Sequence, residues 1–379
     1  MDPRVFLFAL ATFVTGTAEN IIVGLVLDVA SGLHVSVALA GQLTAVFSLS
    51  FALMAPCVPL LGHQIRPRPL YLSALALFVF GNVLAALSPS FTLLFLARMI
   101  MACASAVVCV LATTLITKLV PASLRGRAIG LIFMGISGSL VLGVPIGMML
   151  GQWSGWRSVF SMLAAVATVV LLLSWRYIPT SEPDTKMQLS YRRHLANRRL
   201  LAAQGVSVLM IAGHFALFAY LLPYLLDVEA LTPEGSAYAF GVMGLAGVLG
   251  GYAGGRLADR LPAALALKLV PTLYLGALLS LPFLLNHLLW LGSPMLLLWC
   301  CISWMISPVV QSFLIRTDSE SSQAGISLNF SAMHIGVGVG TAFGGFVLNR
   351  FSVASLPVAA ALLAALSVLL AFIAARPSR

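Results

Sequence analysis

Long apolar runs broken by short polar turns fill almost the whole chain. They fall near 5–27, 38–61, 69–88, 91–116, 127–151 and 157–178, then near 200–226, 236–256, 264–285, 289–314, 324–348 and 354–375. Each is long enough, at about 1.5 Å per helical residue, to cross about 30 Å of hydrocarbon. Lipid offers backbone groups no partner, so runs of this length are read as helices. The polar stretch Pro179 to Arg199 divides the runs into two sixes. The pattern predicts an all-α membrane protein of twelve transmembrane helices in two pseudo-symmetric six-helix bundles. These are residues 1–178 and 200–379, joined by a cytoplasmic linker, 179–199.

Composition points the same way. The chain has 60% hydrophobic and 8% charged residues, where a soluble domain carries about 25% charged. Lys and Arg (21) exceed Asp and Glu (11), and position explains the surplus without nucleic acid. Arg66, Arg68, Lys118, Arg125, Arg127, Arg192, Arg193, Arg256, Arg260 and Arg316 share one side, while Arg157 and Arg350 are the basic residues of the other. Basic loops stay on the cytoplasmic side, which puts both termini and the linker there. Met1–Arg4 leads straight into the first run, read as a retained span rather than a cleaved signal. The five cysteines lie inside apolar runs and offer neither a disulfide framework nor metal-ligand spacing. No cofactor or metal is expected. Short turns leave no room for a soluble catalytic domain, no nucleophile–base pair stands out, and the chain does not read as an enzyme. There is no Gly-x-x-x-x-Gly-Lys-Ser/Thr sequence, so transport would draw on an ion gradient.

Two charges sit inside the first half's spans. In the first, Thr12, Thr15, Gly16, Glu19 and Asn20 recur at helical spacing and form one polar, small-residue stripe. An acid near mid-bilayer costs about 2.5 kcal/mol or more, which makes Glu19 a functional candidate, with a neutral, hydrogen-bonded structural role as the alternative. Arg98 lies about 12 Å below the outer end of the fourth span, and Glu19 about 12 Å below the outer end of the first. Matched depth suggests a pair whose arginine is released when the acid is protonated. A fixed structural ion pair is the competing reading.

The halves repeat with one constant step, which carries Gly130 to Gly325, Gly143 to Gly338 and Gln64 to Asp259. The same step carries Glu19 to His214, so each half's first helix holds one ionisable group. Duplicated bundles of this kind place their site between the halves near the midplane.

Motifs sharpen the picture. The glycine-rich fifth span contains Leu142-Gly143-Val144-Pro145-Ile146-Gly147, which resembles the glycine–proline motif of drug–proton antiporters in the major facilitator superfamily; spacing alone would allow ordinary tight packing. Gly255-Arg256-Leu257-Ala258-Asp259-Arg260 looks like that superfamily's loop motif, and Arg98 and Gly155-Trp156-Arg157 resemble its fourth- and sixth-helix signatures. Gly16-Thr17-Ala18-Glu19, Ala40-Gly41-Gln42-Leu43 and Ala212-Gly213-His214-Phe215 resemble bacterial purine base and nucleoside efflux pumps, and exporters of sugars and chloramphenicol share part of the pattern. The resemblance implies an inner-membrane exporter that exchanges a small molecule for protons by alternating access, and a monomer is expected. Glu19, Arg98 and His214 are then the proton-coupling candidates. Gly143, Pro145, Gly147, Gly255, Arg256, Asp259 and Arg260 are the gating candidates. The N-terminal loop copy has Gln64 where the family pattern has an acid, so an electrostatic latch is expected on one half only; Asp259 could instead cap its own turn.

A purine ring asks for aromatic faces and a few donors and acceptors. The candidates are Asn20, Gln42, Phe218, Tyr220, Trp304, Asn329, Phe330 and His334, although single aromatics in such helices more often pack or meet lipid. Purines lead as the expected cargo, with drugs, sugars or chloramphenicol as the alternative and a non-transporting sensor as a more distant one.

Overall fold

The computed structural model describes residues 4–58, 65–119, 131–132, 135–136, 138–179, 191–228, 232–287 and 289–376. The chain forms two compact units, Met1–Met187 and Gln188–Arg379. Among the described residues ten helices are long and apolar enough to cross a membrane, and Ser139–Ser154 is a shorter apolar helix. The expected Gly130 and Gln64 lie outside the described residues.

The first unit contains α1 (Arg4–Gly32), α2 (Val37–Met54), α3 (Pro67–Ala86), α4 (Phe91–Leu119), a π turn (Ser139–Gly143) running into α5 (Val144–Ser154), and α6 (Trp156–Tyr177). α1 is its hub and packs on α2, α4, α5, α6 and the π turn. Pro145 has no N–H to give the carbonyl four residues back, so the ladder widens there by one residue. The Val144 N–H reaches the Ser139 carbonyl instead.

The second unit opens with the short α7 (Tyr191–Ala196), then α8 (Arg198–Phe218), α9 (Leu221–Asp227), α10 (Pro233–Arg260), α11 (Ala263–His287), α12 (Leu289–Trp304), α13 (Ile306–Thr317), α14 (Ser322–Arg350) and α15 (Leu356–Ala374). Here α8 is the hub, against α14 and α15. Two expected continuous spans are broken. The run near 200–226 divides at Ala219–Tyr220, and that near 289–314 divides at Met305. Pro223 and Pro308 each sit just past a break and withhold the N–H that would have continued the ladder.

The close approach between α1 and the fifth span recurs between α8 and α14, with a corrected register. A Cβ on Gly143 would strike Thr17, and one on Gly147 would strike Ile21. In the second unit a Cβ on Gly340 would strike the Ala212 backbone, and one on Gly344 the Ala216 carbonyl. Thr17 to Ala212 keeps the sequence step, but the structural partner of Gly143 is Gly340 rather than the expected Gly338. The fifth span of one unit and its counterpart in the other are therefore two residues out of the common step.

Candidate functional site

In the first unit Arg98 is fully buried. Its guanidinium bridges two helices through backbone carbonyls: Nη1 donates to Ala18, Nη2 to Glu19 at 3.0 Å, and Nε to Leu43 of α2 at 3.2 Å. Phe47 of α2 lies beneath it, with 4.2 Å from the guanidinium carbon to the ring centroid. A planar five-donor fork suits this bridging, whereas an ammonium could not span the same acceptors. The Glu19 carboxylate is near enough for its charge to act on that of Arg98. Glu19 itself is half-buried, while its neighbours on the stripe are closed off. Thr12 donates to Ile132, Asn20 to Gly16, and Thr15 meets the Cys109 sulfur at 3.6 Å. Arg98 thus reaches the turn of α1 that carries Glu19, and its hydrogen bonds there end on the Ala18 and Glu19 carbonyls.

The equivalent place in the second unit is aromatic. His214 of α8 is fully buried, and its ring is stacked between Trp299 of α12 (centroids 4.6 Å apart, planes at 28°) and Phe218 (4.9 Å, 21°). Phe215 and Trp304 meet it edge-on at 5.3 and 6.3 Å. Trp299 is fixed in turn by its Nε1–H, which donates to Tyr274 at 3.1 Å. Among the described residues neither imidazole nitrogen has a hydrogen-bond partner. A buried polar atom left unpaired costs about 1–3 kcal/mol, which a purely structural histidine would have no reason to carry.

The remaining candidates divide. Trp304 is half-buried and covers Gly247. Gln42 donates back to Ala38, and His334 Nδ1 lies 2.9 Å from the Phe330 carbonyl; Gln42, Phe330 and His334 are half-buried. Two others are held within their own unit. Tyr220 is buried, with its hydroxyl on the Thr341 carbonyl at 3.1 Å. The Asn329 amide nitrogen is shared between Gln204 and Ser207, at 2.9 and 2.8 Å. In the loop motif Arg256, Asp259 and Arg260 are exposed and Arg256 covers the Tyr252 ring. The carbonyl end of α10 is tied by Arg316, which donates to Ala258 at 3.0 Å and Leu261 at 3.4 Å.

Sequence reasoning missed Trp299, Phe215, Phe47, Arg316 and Gln204. Trp299 and Phe47 could not be told from lipid-facing aromatics by spacing. Arg316 was counted only as one more cytoplasmic charge, although a cation at a helix carbonyl end is favourable. An apolar crevice of about 200 Å³ in the first unit, lined by Phe13, Val14, Thr17, Gly143 and Met162, offers no polar chemistry.

Ten apolar spans among the described residues, two units each built on a hub helix, and the buried Arg98 and His214 inside those spans define a multi-pass membrane protein. The sequence model of the Major Facilitator Superfamily matches residues 8–324, and the chain belongs to that superfamily. Its members are membrane transporters rather than enzymes. The chain is similar to the uncharacterized MFS-type transporter YbcL of Bacillus subtilis (strain 168), with 32% identity over 93% of this chain and 90% of that one. It is 28% identical to a probable sugar efflux transporter of Helicobacter pylori (strain J99), over 92% of this chain and 88% of that one. Among solved structures, a D-xylose–proton symporter superposes with a TM-score of 0.79 at 15% identity, over 97% of this chain and 96% of that one. A bacterial homologue of the lysosomal transporter Spinster gives 0.78 at 17%, over 99% and 98%. At such identities these two support the fold alone.

Proposed function

We propose that this chain is a proton-coupled exporter of small polar ring molecules, with sugars as the leading cargo class and purines second. The observation that carries the coupling half is the Arg98 bridge, which holds a permanent cation against the α1 turn that presents the half-buried Glu19. A carboxylate poised beside a fixed cation changes the balance of charge in the spans when it takes a proton. Facing outward, Glu19 takes a proton as substrate leaves. Facing inward, substrate binding competes with that proton and drives its release, which links the two fluxes.

The aromatic node supports a ring-shaped cargo, since indole and phenyl faces stack on the C–H face of a pyranose as well as on a purine. The relatives named as sugar efflux transporters move sugars ahead of the purines that the residue motifs suggested. His214, Phe218 and Trp304 are assigned to the cargo side, with Asn20, Gln42, Phe330 and His334 as further polar and aromatic contributors. The glycine–proline turn at Gly143, Pro145 and Gly147, and the loop residues Gly255, Arg256, Asp259 and Arg260, are assigned to gating. The proposed architecture is twelve spans in two six-helix bundles, 1–178 and 200–379, in a bacterial cytoplasmic membrane. The termini and linker face the cytoplasm, and the transporter acts as a monomer.

The test is accumulation of labelled pentoses, hexoses and adenosine by inverted vesicles under an imposed proton gradient. Gradient-driven sugar accumulation supports the reading, and adenosine in place of sugar moves the cargo to purines. Gradient-independent equilibration of either would contradict proton coupling.

A further inference from the structure

The linker helix α7 is locked onto the second unit by a set of bonds whose donors and acceptors can be worked out. On its exposed side Arg193 pairs with Asp318 at 3.0 Å and with Glu320. Asp318 also accepts from Ser321 at 2.8 Å. On its inner side His194 is fully buried and rests on Gly325, where a Cβ would come within 2.6 Å of the imidazole Cε1. Its Nε2 lies 3.1 Å from Gln204 Nε2.

The proton assignments follow by elimination. The Gly325 carbonyl can only accept, and it takes one hydrogen of Gln204 Nε2 at 2.9 Å. That fixes the amide, so its other hydrogen points at His194 Nε2, which must present a lone pair. Gln204 Oε1 accepts from Asn329 Nδ2, which also donates to Ser207. A proton on His194 Nε2 would set N–H against N–H. The Gln204 amide would have to turn over, losing the Gly325 carbonyl and facing Asn329 with a second donor.

We propose that His194 is a positioning residue whose neutral form clamps α7 onto α14 and sets the Asn329 amide through Gln204, so that acid on the linker side releases the clamp. The relay reaches seven residues into α14, about 10 Å from its start. Burial pushes His194 below its ordinary value, partly offset by the charge of Asp318. The Ser321 hydroxyl and the Arg193 guanidinium hold Asp318 low, so it stays ionised through the range in which a histidine titrates. The charged neighbours on these elements are Arg192 and Arg193 on α7 and Arg198 and Arg199 at the start of α8. A released α7 has a histidine near pKa 6.5, so the docked form is favoured above that value. Below it, docking weakens by up to about tenfold per pH unit until the lowered docked value is reached.

The test is hydrogen–deuterium exchange of the full-length protein in lipid nanodiscs between pH 5.5 and 8, corrected for intrinsic exchange, and it needs no substrate, so it is independent of the transport assay. Protection of the segment 191–204 is expected to fall with acid in the wild type and to be flat in His194→Gln, which accepts from Gln204 at every pH. Equal pH dependence in both, or none in the wild type, would overturn the proposal. Gly325→Ala, which displaces the imidazole, is expected to lose protection at all pH values; an unchanged profile would also overturn it. Arg193→Ala lowers protection by the same factor throughout, whereas loss of the pH dependence there would assign the titration to the ion pairs instead. Asn329→Leu frees Gln204 Oε1 to turn toward a protonated His194, so the midpoint moves to higher pH; an unmoved midpoint would overturn the relay to Asn329.

Discussion

The hub helix of each unit meets a later helix of its own unit, α1 with α4 and α8 with α12, but one meeting is charged and the other aromatic. In the first unit Arg98 reaches into the α1 backbone at Ala18 and Glu19. In the second unit Trp299 lies flat on His214. A buried guanidinium tied to carbonyls keeps its position and charge through any proton movement nearby, whereas a stack held by faces alone has no directional bond to break. In the proposed function the charged place is assigned to coupling and the aromatic place to recognition.

Arg98→Leu should break the comparison most severely. It strips the cation from three carbonyls and from the field of Glu19, and gradient-driven export is expected to fall at least about 100-fold, near 3 kcal/mol. Arg98→Lys should not rescue it, because one ammonium cannot bridge α1 and α2. Measured by vesicle uptake, a rescue by lysine would show that charge alone matters. Trp299→Leu is the matching change in the second unit. It removes one face of the His214 stack, worth about 1–1.5 kcal/mol, so KM should rise about tenfold while the response to the gradient is kept. A lost gradient response with KM unchanged would reverse the division of labour.

Glycine changes sharpen the same contrast on a smaller scale. Gly340→Ala meets the fixed Ala212 backbone and should cost about 1–3 kcal/mol in thermal unfolding, whereas Gly143→Ala meets the Thr17 side chain, which can turn aside, and should cost less. Gly251→Ala has open space around it and should be neutral or gain up to about 1 kcal/mol from helix propensity.

Much of this architecture is legible from apolar periodicity, because a helix in lipid satisfies its own backbone and betrays itself by length. Glu19, Arg98 and His214 are legible for the opposite reason, since an ionisable residue in such a run needs an explanation. The breaks at Ala219–Tyr220 and Met305 were marked by Pro223 and Pro308, yet apolar runs on both sides hid them. Asn329 read as a cavity residue, while its amide belongs to the Gln204 relay, a long-range pairing that no local pattern carries. The constant step carries Thr17 to Ala212 but mispaired Gly143, because the two chains between hub and fifth span differ in length. Trp299 was one aromatic among many until the fold laid it on His214.

In the proposed function Glu19 couples cargo to protons while the aromatic node only holds cargo. The most direct measurement compares gradient-driven sugar accumulation with sugar exchange at equal pH, in inverted vesicles carrying wild type or Glu19→Gln. The account predicts that the variant loses accumulation against the gradient but retains exchange within about threefold, a change of under 1 kcal/mol. Accumulation surviving in Glu19→Gln would contradict it.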